Sequence, residues 1–209
     1  PKVRWRKKID PANSKMNPAL KFAHNGDTLV NLGPDCRIQV LDSRTGKLRY
    51  PPLVTEFNDF WSISISPDEN HLAASTSSGN VFIWDLATGK TVGNPLKHPQ
   101  WVYRCRFSRD QKYLMTASHD GKARIWDWKS GQLATDPLPH PNEVYDAAFT
   151  PDSKWILTAS RDGMVRIWEP IDGTLIAPPV RVGHQAFNIE FNSSGTRALI
   201  GSLCKQTYI

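Results

Sequence analysis

No apolar run in this chain approaches the roughly 18–20 residues that a membrane-spanning helix needs, and no signal-peptide core opens it. No segment sustains a 3.6-residue apolar period, so almost no helix is expected. Cysteine is scarce. Cys36, Cys105 and Cys204 are odd in number and form no CxxC pair, so neither a disulfide framework nor a zinc site is written into the spacing. Reduced thiols in a cytoplasmic setting are the default expectation. No Gly-x-Ser-x-Gly elbow is present, and His24, His71 and His184 hold no ligand spacing, so no metal site and no cofactor are expected.

A strong charge of one sign is also missing from most of the chain. The net charge is +6. Residues 1–10 supply +4 of it, from Lys2, Arg4, Arg6, Lys7 and Lys8 against Asp10. The remaining 199 residues hold 21 basic and 19 acidic groups, a balance of +2 that carries no nucleic-acid footprint. Pro1 is not an initiator Met, which leaves room for an earlier N-terminus.

What the chain does have is a repeat. Thr116-Ala-Ser-His-Asp-Gly-Lys-Ala-Arg-Ile-Trp-Asp127 recurs 42 residues later as Thr158-Ala-Ser-Arg-Asp-Gly-Met-Val-Arg-Ile-Trp-Glu169. It occurs 42 residues earlier as Ala74-Ser-Thr-Ser-Ser-Gly-Asn-Val-Phe-Ile-Trp-Asp85, and 43 before that in a weaker copy over 31–42. Residues 200–209 start a further copy. A fixed period in this range marks stacked supersecondary units.

Each unit has one internal order. A first strand ends on Phe22, Ile65, Phe107, Phe149 or Phe191, and a turn rich in Pro, Asp, Asn and Gly follows. A second strand, a tight Asp-Gly turn, a third strand and a Gly-containing turn come next. A polar, Pro-bearing strand, such as Lys47-Leu-Arg-Tyr-Pro-Pro, then leads out and suits an edge. One four-stranded sheet cannot bury both of its faces, but sheets packed face to face around an axis can. The expected fold is therefore all-β, a β-propeller of four-stranded antiparallel blades. Residues 1–10 read as the outer strand of a preceding blade, and 11–209 as four full blades with a last one cut short. A fragment of a larger propeller is expected, with a closed five-bladed ring as the alternative.

The Ile-Trp-Asp/Glu endings, the Asp-Gly turns and the spacing resemble the WD-repeat family of β-propellers, over roughly residues 11–209. The Pro-Leu-x-His-Pro connections at 95–99 and 137–141 are most similar to those of bacterial members, many of which are attached to signalling kinases. The resemblance implies a structural tetrad of His, Ser/Thr, Asp and Trp. It falls on His98, Thr116, Asp120 and Trp126, and again on His140, Thr158, Asp162 and Trp168. A buried chain of hydrogen bonds ending on the indole would satisfy each member, and the carboxylate would serve as the imidazole's acceptor. The same residues could be mistaken for a hydrolase triad. Their duplication argues against that, so no catalytic residue is assigned. Other units depart from the set, with Glu56, Ala74, Ser78 and Trp84, with Asn13, Asn31, Asp35 and Leu41, and with Val182, Ile200 and Cys204. Those blades are expected to rely on apolar packing.

Two aligned columns are candidates for partner contact. The first reads Pro18, Trp61, Tyr103, Tyr145, Phe187, and the resemblance implies that its strand lines the central channel. The second, just before the Asp of the tight turn, reads Pro34, Ser77, His119, Arg161, Leu203. The aromatic column fits either a ring at the channel mouth or packing between blades. The second fits either partner contacts or solvated turns. The expected function is a non-enzymatic scaffold that presents a loop-rich face to protein or peptide partners, with no nucleic acid. The alternatives are a sensor domain of a larger signalling enzyme, such as a bacterial Ser/Thr kinase, and a propeller enzyme with a channel site.

Overall fold

The computed structural model describes residues 20–22, 26–32, 37–54, 59–192 and 194–203. These residues form antiparallel β-structure with no helix among them. The first sheet is β1 (Leu20–Phe22), β2 (Thr28–Leu32), β3 (Arg37–Asp42) and β4 (Leu53–Val54), in that order. The second is β5 (Phe60–Ile65), β6 (His71–Thr76), β7 (Asn80–Asp85) and β8 (Leu96–Lys97). The third holds β9 (Val102–Phe107), β10 (Tyr113–Ser118), β11 (Lys122–Asp127), β12 (Gln132–Leu133) and β13 (Leu138–Pro139). The fourth is β14 (Val144–Phe149), β15 (Ile156–Ser160), β16 (Met164–Trp168) and β17 (Val180–Arg181), and the fifth contains β18 (Ala186–Phe191) and β19 (Ala198–Ser202). The expected outer strand at residues 1–10 and the aligned Pro18 and Pro34 lie outside the described residues.

The second strands explain why these sheets stack. Leu114 faces the preceding sheet and clusters with its Val81 and Leu96 and with Trp126 of its own sheet, while Met115 and Ala117 face the following one with Val144, Ala147 and Ile156. Ile156 and Leu157 divide in the same way across the next interface. A strand buried on both sides needs apolar or small residues at every position, not at alternate ones. That is what His71-Leu-Ala-Ala-Ser-Thr76 and Tyr113-Leu-Met-Thr-Ala-Ser118 supply. The core is thus four clusters, each shared by two neighbouring sheets. Together the sheets form the blades of a β-propeller.

The outer strand differs from expectation. A single continuous strand was expected in each unit, but the third strand is met by two short pieces. Trp126 and Asp127 pair with Leu133 and Gln132, whereas Lys122 and Ala123 pair with Pro139 and Leu138. In the first, second and fourth sheets the inner piece shrinks to one bridge, Leu41 to Leu48, Trp84 to Thr91 and Trp168 to Leu175. The intervening segments carry Pro51 and Pro52, Pro95, Pro137, and Pro178 and Pro179, which have no N–H to donate to a ladder.

The tight turns hold the inter-blade connections in place. Gly79, Gly121 and Gly163 all have φ near +80°. Their carbonyls accept from the amides of His98, His140 and Val182, at 2.8–2.9 Å. A Cβ on Gly163 would lie 2.1 Å from the carbonyl oxygen of Gly183, so both the dihedral and the close approach require glycine.

Candidate functional site

Three members of each tetrad form one hydrogen-bonded chain between blades. Trp126 Nε1 donates to Thr116 Oγ1 at 3.0 Å, and Thr116 Oγ1 is 2.8 Å from His98 Nε2. Trp168, Thr158 and His140 repeat this at 2.9 and 2.7 Å. An indole N–H can only donate, so each threonine accepts from Trp; at His140, whose Nδ1 faces the Leu138 carbonyl, Thr158 gives its own proton to Nε2. Burial, with the charge of Arg124 second, lowers the pKa of His98 to about 4. Burial and Arg166 do the same for His140, also to about 4. Both rings are neutral at pH 7.

The fourth member corrects the sequence expectation. Asp120 and Asp162 do not serve as acceptors for the imidazoles. Asp120 Oδ2 takes Arg124 Nη2 at 2.6 Å, and Asp162 Oδ2 takes Arg166 Nη2 at 2.7 Å. The acceptor facing His140 Nδ1 is the carbonyl of Leu138, at 3.0 Å. A full guanidinium charge, itself buried, competes better for a carboxylate than a neutral imidazole does. Burial alone would raise both carboxylates, but the Arg hydrogen bonds outweigh it and their pKa values are lowered. The blades without the set pack apolar groups there. Ala74 and Trp84 join one cluster, and Val182 and Ile200 join another.

The aromatic column sits on a repeated irregularity. In β5 and β6 the register runs from Phe60↔Thr76 to Ser62↔Ser75, which leaves Trp61 as the extra residue. Tyr103, Tyr145 and Phe187 are skipped in the same way in the next three blades. A β-bulge re-aims the side chain of its extra residue. Here it turns four half-buried aromatics toward one another across blade boundaries. Tyr103 lies 5.4 Å from Trp61 and 5.1 Å from Tyr145, both edge-on, and Tyr145 stacks on Phe187 at 4.8 Å.

The second column surrounds this ladder. His119 Nδ1 shares a 2.7 Å hydrogen bond with the Tyr103 hydroxyl and lies 3.6 Å from Glu143 Oε1. Arg161 Nη1 holds the same oxygen at 2.7 Å. Burial would raise Glu143, but its own backbone amide and Arg161 lower it. Burial, then the neighbouring Tyr145 and Glu143, pushes Tyr103 up to about 12. Ser77 bonds Asp59 at 2.7 Å, while Leu203 is 62% exposed at the end of the fifth blade.

Sequence reasoning missed a third column, two residues before each bulge: Asp59, Trp101, Glu143 and Gln185. Each accepts at its carbonyl from the amide of the matching turn residue, Ser77, His119, Arg161 or Leu203. Trp101 is 44% exposed, stacks on Trp61 at 6.0 Å and lies over His119 at 5.4 Å. The 42-residue spacing carried the signal, but the types at these positions, two carboxylates, an indole and an amide, are mixed.

The innermost strands carry a second missed cluster. Buried Asp146 Oδ2 accepts from Arg106 Nη2 at 2.7 Å and from the Ile189 amide at 2.9 Å, which ties the third, fourth and fifth blades together. The Cys105 amide and Sγ bond Ser62 in the preceding blade. Among the described residues no cluster of His, Cys, Asp and Glu could hold a metal ion, and no helix is long and apolar enough to cross a membrane.

The arrangement is similar to known proteins in both sequence and shape. The β-propeller domain of Cps50 (Swd1) from Myceliophteria thermophila superposes with a TM-score of 0.77 at 17% identity, covering 88% of this chain and 62% of that one. Autophagy-related protein 16 of Arabidopsis thaliana is 28% identical over 72 residues, which is 34% of this chain and 14% of that protein. This chain therefore spans a minor part of that relative. The expected bacterial likeness finds no support in a fungal and a plant protein. The family described as WD domain, G-beta repeat matches residues 53–85, 89–127 and 132–169, more than half of the chain. With its Ile-Trp-Asp endings, Asp-Gly turns and stacked blades, the chain belongs to the WD domain, G-beta repeat family.

Proposed function

We propose that this chain is a non-catalytic protein-interaction module, and that its aromatic mouth takes a peptide segment of a partner. The observation that carries this is the β-bulge repeated in four blades, which gathers Trp61, Tyr103, Tyr145 and Phe187 at one partly exposed place beside Trp101. Aromatic rings give large contact area at little entropic cost. No reaction is asked of the Thr, His and Asp side chains. Thr116 and Thr158 are fully buried and already engaged by Trp and His, so neither is placed to attack a substrate. On the expectation of reduced thiols alone, we place the module in the cytoplasm.

Trp101 and Tyr145 separate binding from packing. A library of displayed 12-residue peptides is selected on the 209-residue chain, and one selected peptide is synthesised with a fluorophore. Trp101→Ala and Tyr145→Ala are each expected to weaken its binding by about 1–3 kcal/mol, with melting little changed at Trp101. Unchanged affinity in both variants would remove the mouth as the binding site.

A further inference from the structure

The rung at which each third strand begins carries one cation in every blade described this far. Arg37 pairs with Val54, Asn80 with Lys97, Lys122 with Pro139, and Met164 with Arg181. The cation alternates between the third strand and the outer strand, yet it keeps its level in the blade. All four are exposed. Among the described residues none of them is ion-paired with an acid. The rung lies at the end of the blade that bears the tight turns, because Lys122 follows Gly121 directly and the His140 amide bonds the Gly121 carbonyl. It is therefore on the same face as His119, Trp101 and the aromatic ladder.

Among the described residues, the acids of that face are spent internally. Asp120 is held by Arg124, Asp162 by Arg166 and Glu143 by Arg161. Asp59 takes the Ser77 hydroxyl and the Ser78 amide. The opposite ends of the third strands reverse the sign, with Asp42, Asp85 and Asp127 closing turns there. A ladder of rings at the centre with an arc of unpaired cations outside it has a charge complement of one kind.

We infer that the partner segment is acidic: an extended peptide that seats an apolar or aromatic side chain at the mouth and points Asp or Glu side chains, or phosphorylated residues, at Arg37, Lys97, Lys122 and Arg181. This rests on the peptide-binding reading of the mouth. A single-stranded nucleic acid has the same sign but fits less well, because bases bind by stacking on open ring faces. Trp101 already stacks on Trp61 and lies against His119, and Tyr145 already stacks on Phe187.

The test uses the same displayed library and a charge-reversed chain, K97E/K122E/R181E, whose melting should match the parent because all three side chains are exposed. Selected peptides should be enriched in Asp and Glu around an apolar residue. Binding of the synthetic peptide should weaken about tenfold in the reversed chain, and should also weaken as salt rises from about 50 to about 300 mM. Neutral or basic selected peptides, or acidic ones indifferent to the reversal, overturn the charge inference while a loss at Trp101→Ala preserves the mouth. Peptides indifferent to Trp101→Ala and Tyr145→Ala overturn the mouth itself, and a selection that yields no binder overturns both. A fluorescent oligouridylate that binds more tightly than the selected peptide, and loses that binding in the reversed chain, assigns the arc to nucleic acid instead. If phosphate is the preferred anion, a phosphoserine version of the peptide binds more tightly than its glutamate version.

Discussion

The carboxylate of Asp120 is bound to the guanidinium of Arg124 across a single tight turn, at 2.6 Å, with both side chains about nine-tenths buried. Asp162 and Arg166 repeat the pair at 2.7 Å one blade later. Each pair closes the turn that also receives the inter-blade connection, so the turn's geometry and its charge balance depend on each other.

Asp162→Ala should therefore act through Arg166. It strands a buried cation, and breaking one side of such a pair costs about 3 kcal/mol or more. Replacing both partners with apolar residues should recover most of that loss. Ser78→Ala, in a blade whose turn has no such pair, should cost under about 1 kcal/mol. Urea denaturation of the three variants decides the matter, and equal losses for Asp162→Ala and Ser78→Ala would defeat it.

Stability should fall with acid mainly through the two tetrad histidines. His98 and His140 have folded pKa values of about 4 against an ordinary 6.5. Between those values the unfolded chain binds more protons, so the stabilisation is complete above pH 6.5 and is lost as pH falls toward 4. Each ring contributes roughly 3 kcal/mol by that shift. The depressed aspartates contribute mostly below this window, because their unfolded value is 3.8 and their folded values are lower still. His140→Gln should remove about half of the loss measured between pH 7 and 4.5.

Glycines of like dihedral should differ by their surroundings. Gly163→Ala meets the Gly183 carbonyl at 2.1 Å, whereas Gly26, with φ +75°, has nothing within 4 Å of the added carbon. Gly26→Ala should cost about 1–2 kcal/mol, the price of a left-handed residue alone. Gly163→Ala should cost clearly more, since backbone must move. Thermal melting of the two proteins compares them.

Asp146→Ala should loosen the join between the last three blades. It leaves the buried Ile189 amide without its acceptor and takes the buried carboxylate from Arg106, which keeps only the Ile189 carbonyl at 3.1 Å and Glu190 at 3.6 Å. A loss of about 3–5 kcal/mol is expected. Hydrogen exchange should quicken first at Ile189, and unchanged protection there would show that apolar packing alone holds the fifth blade.

Much of the fold was written in the residue order, and for local reasons. Asp-Gly pairs reverse a chain wherever they fall. An apolar run such as Leu114-Met-Thr-Ala117 demands two buried faces. The 42-residue recurrence of Ile-Trp-Asp/Glu required several copies of one unit. The companions of Trp126 and Trp168 came from the family resemblance; Thr116 and Thr158 stand on the neighbouring strand, two residues along from the register partners Leu114 and Ile156, and the hydrogen-bond needs of indole and hydroxyl are fixed. What sequence could not decide was competition among partners brought together from different elements. Asp120 could accept from an imidazole or from a guanidinium, and the nearer charge took it. The Pro-bearing outer strand could be continuous or broken, and the missing amides broke it. Trp61, Tyr103, Tyr145 and Phe187 could pack or present themselves. Only the bulge, a register shift between paired strands that no single strand's sequence specifies, turned them toward one another across the blade boundaries. The cations fall in two sequence columns, Arg37 with Lys122 and Lys97 with Arg181. They share a level because antiparallel pairing sets the start of each third strand beside the end of its outer strand.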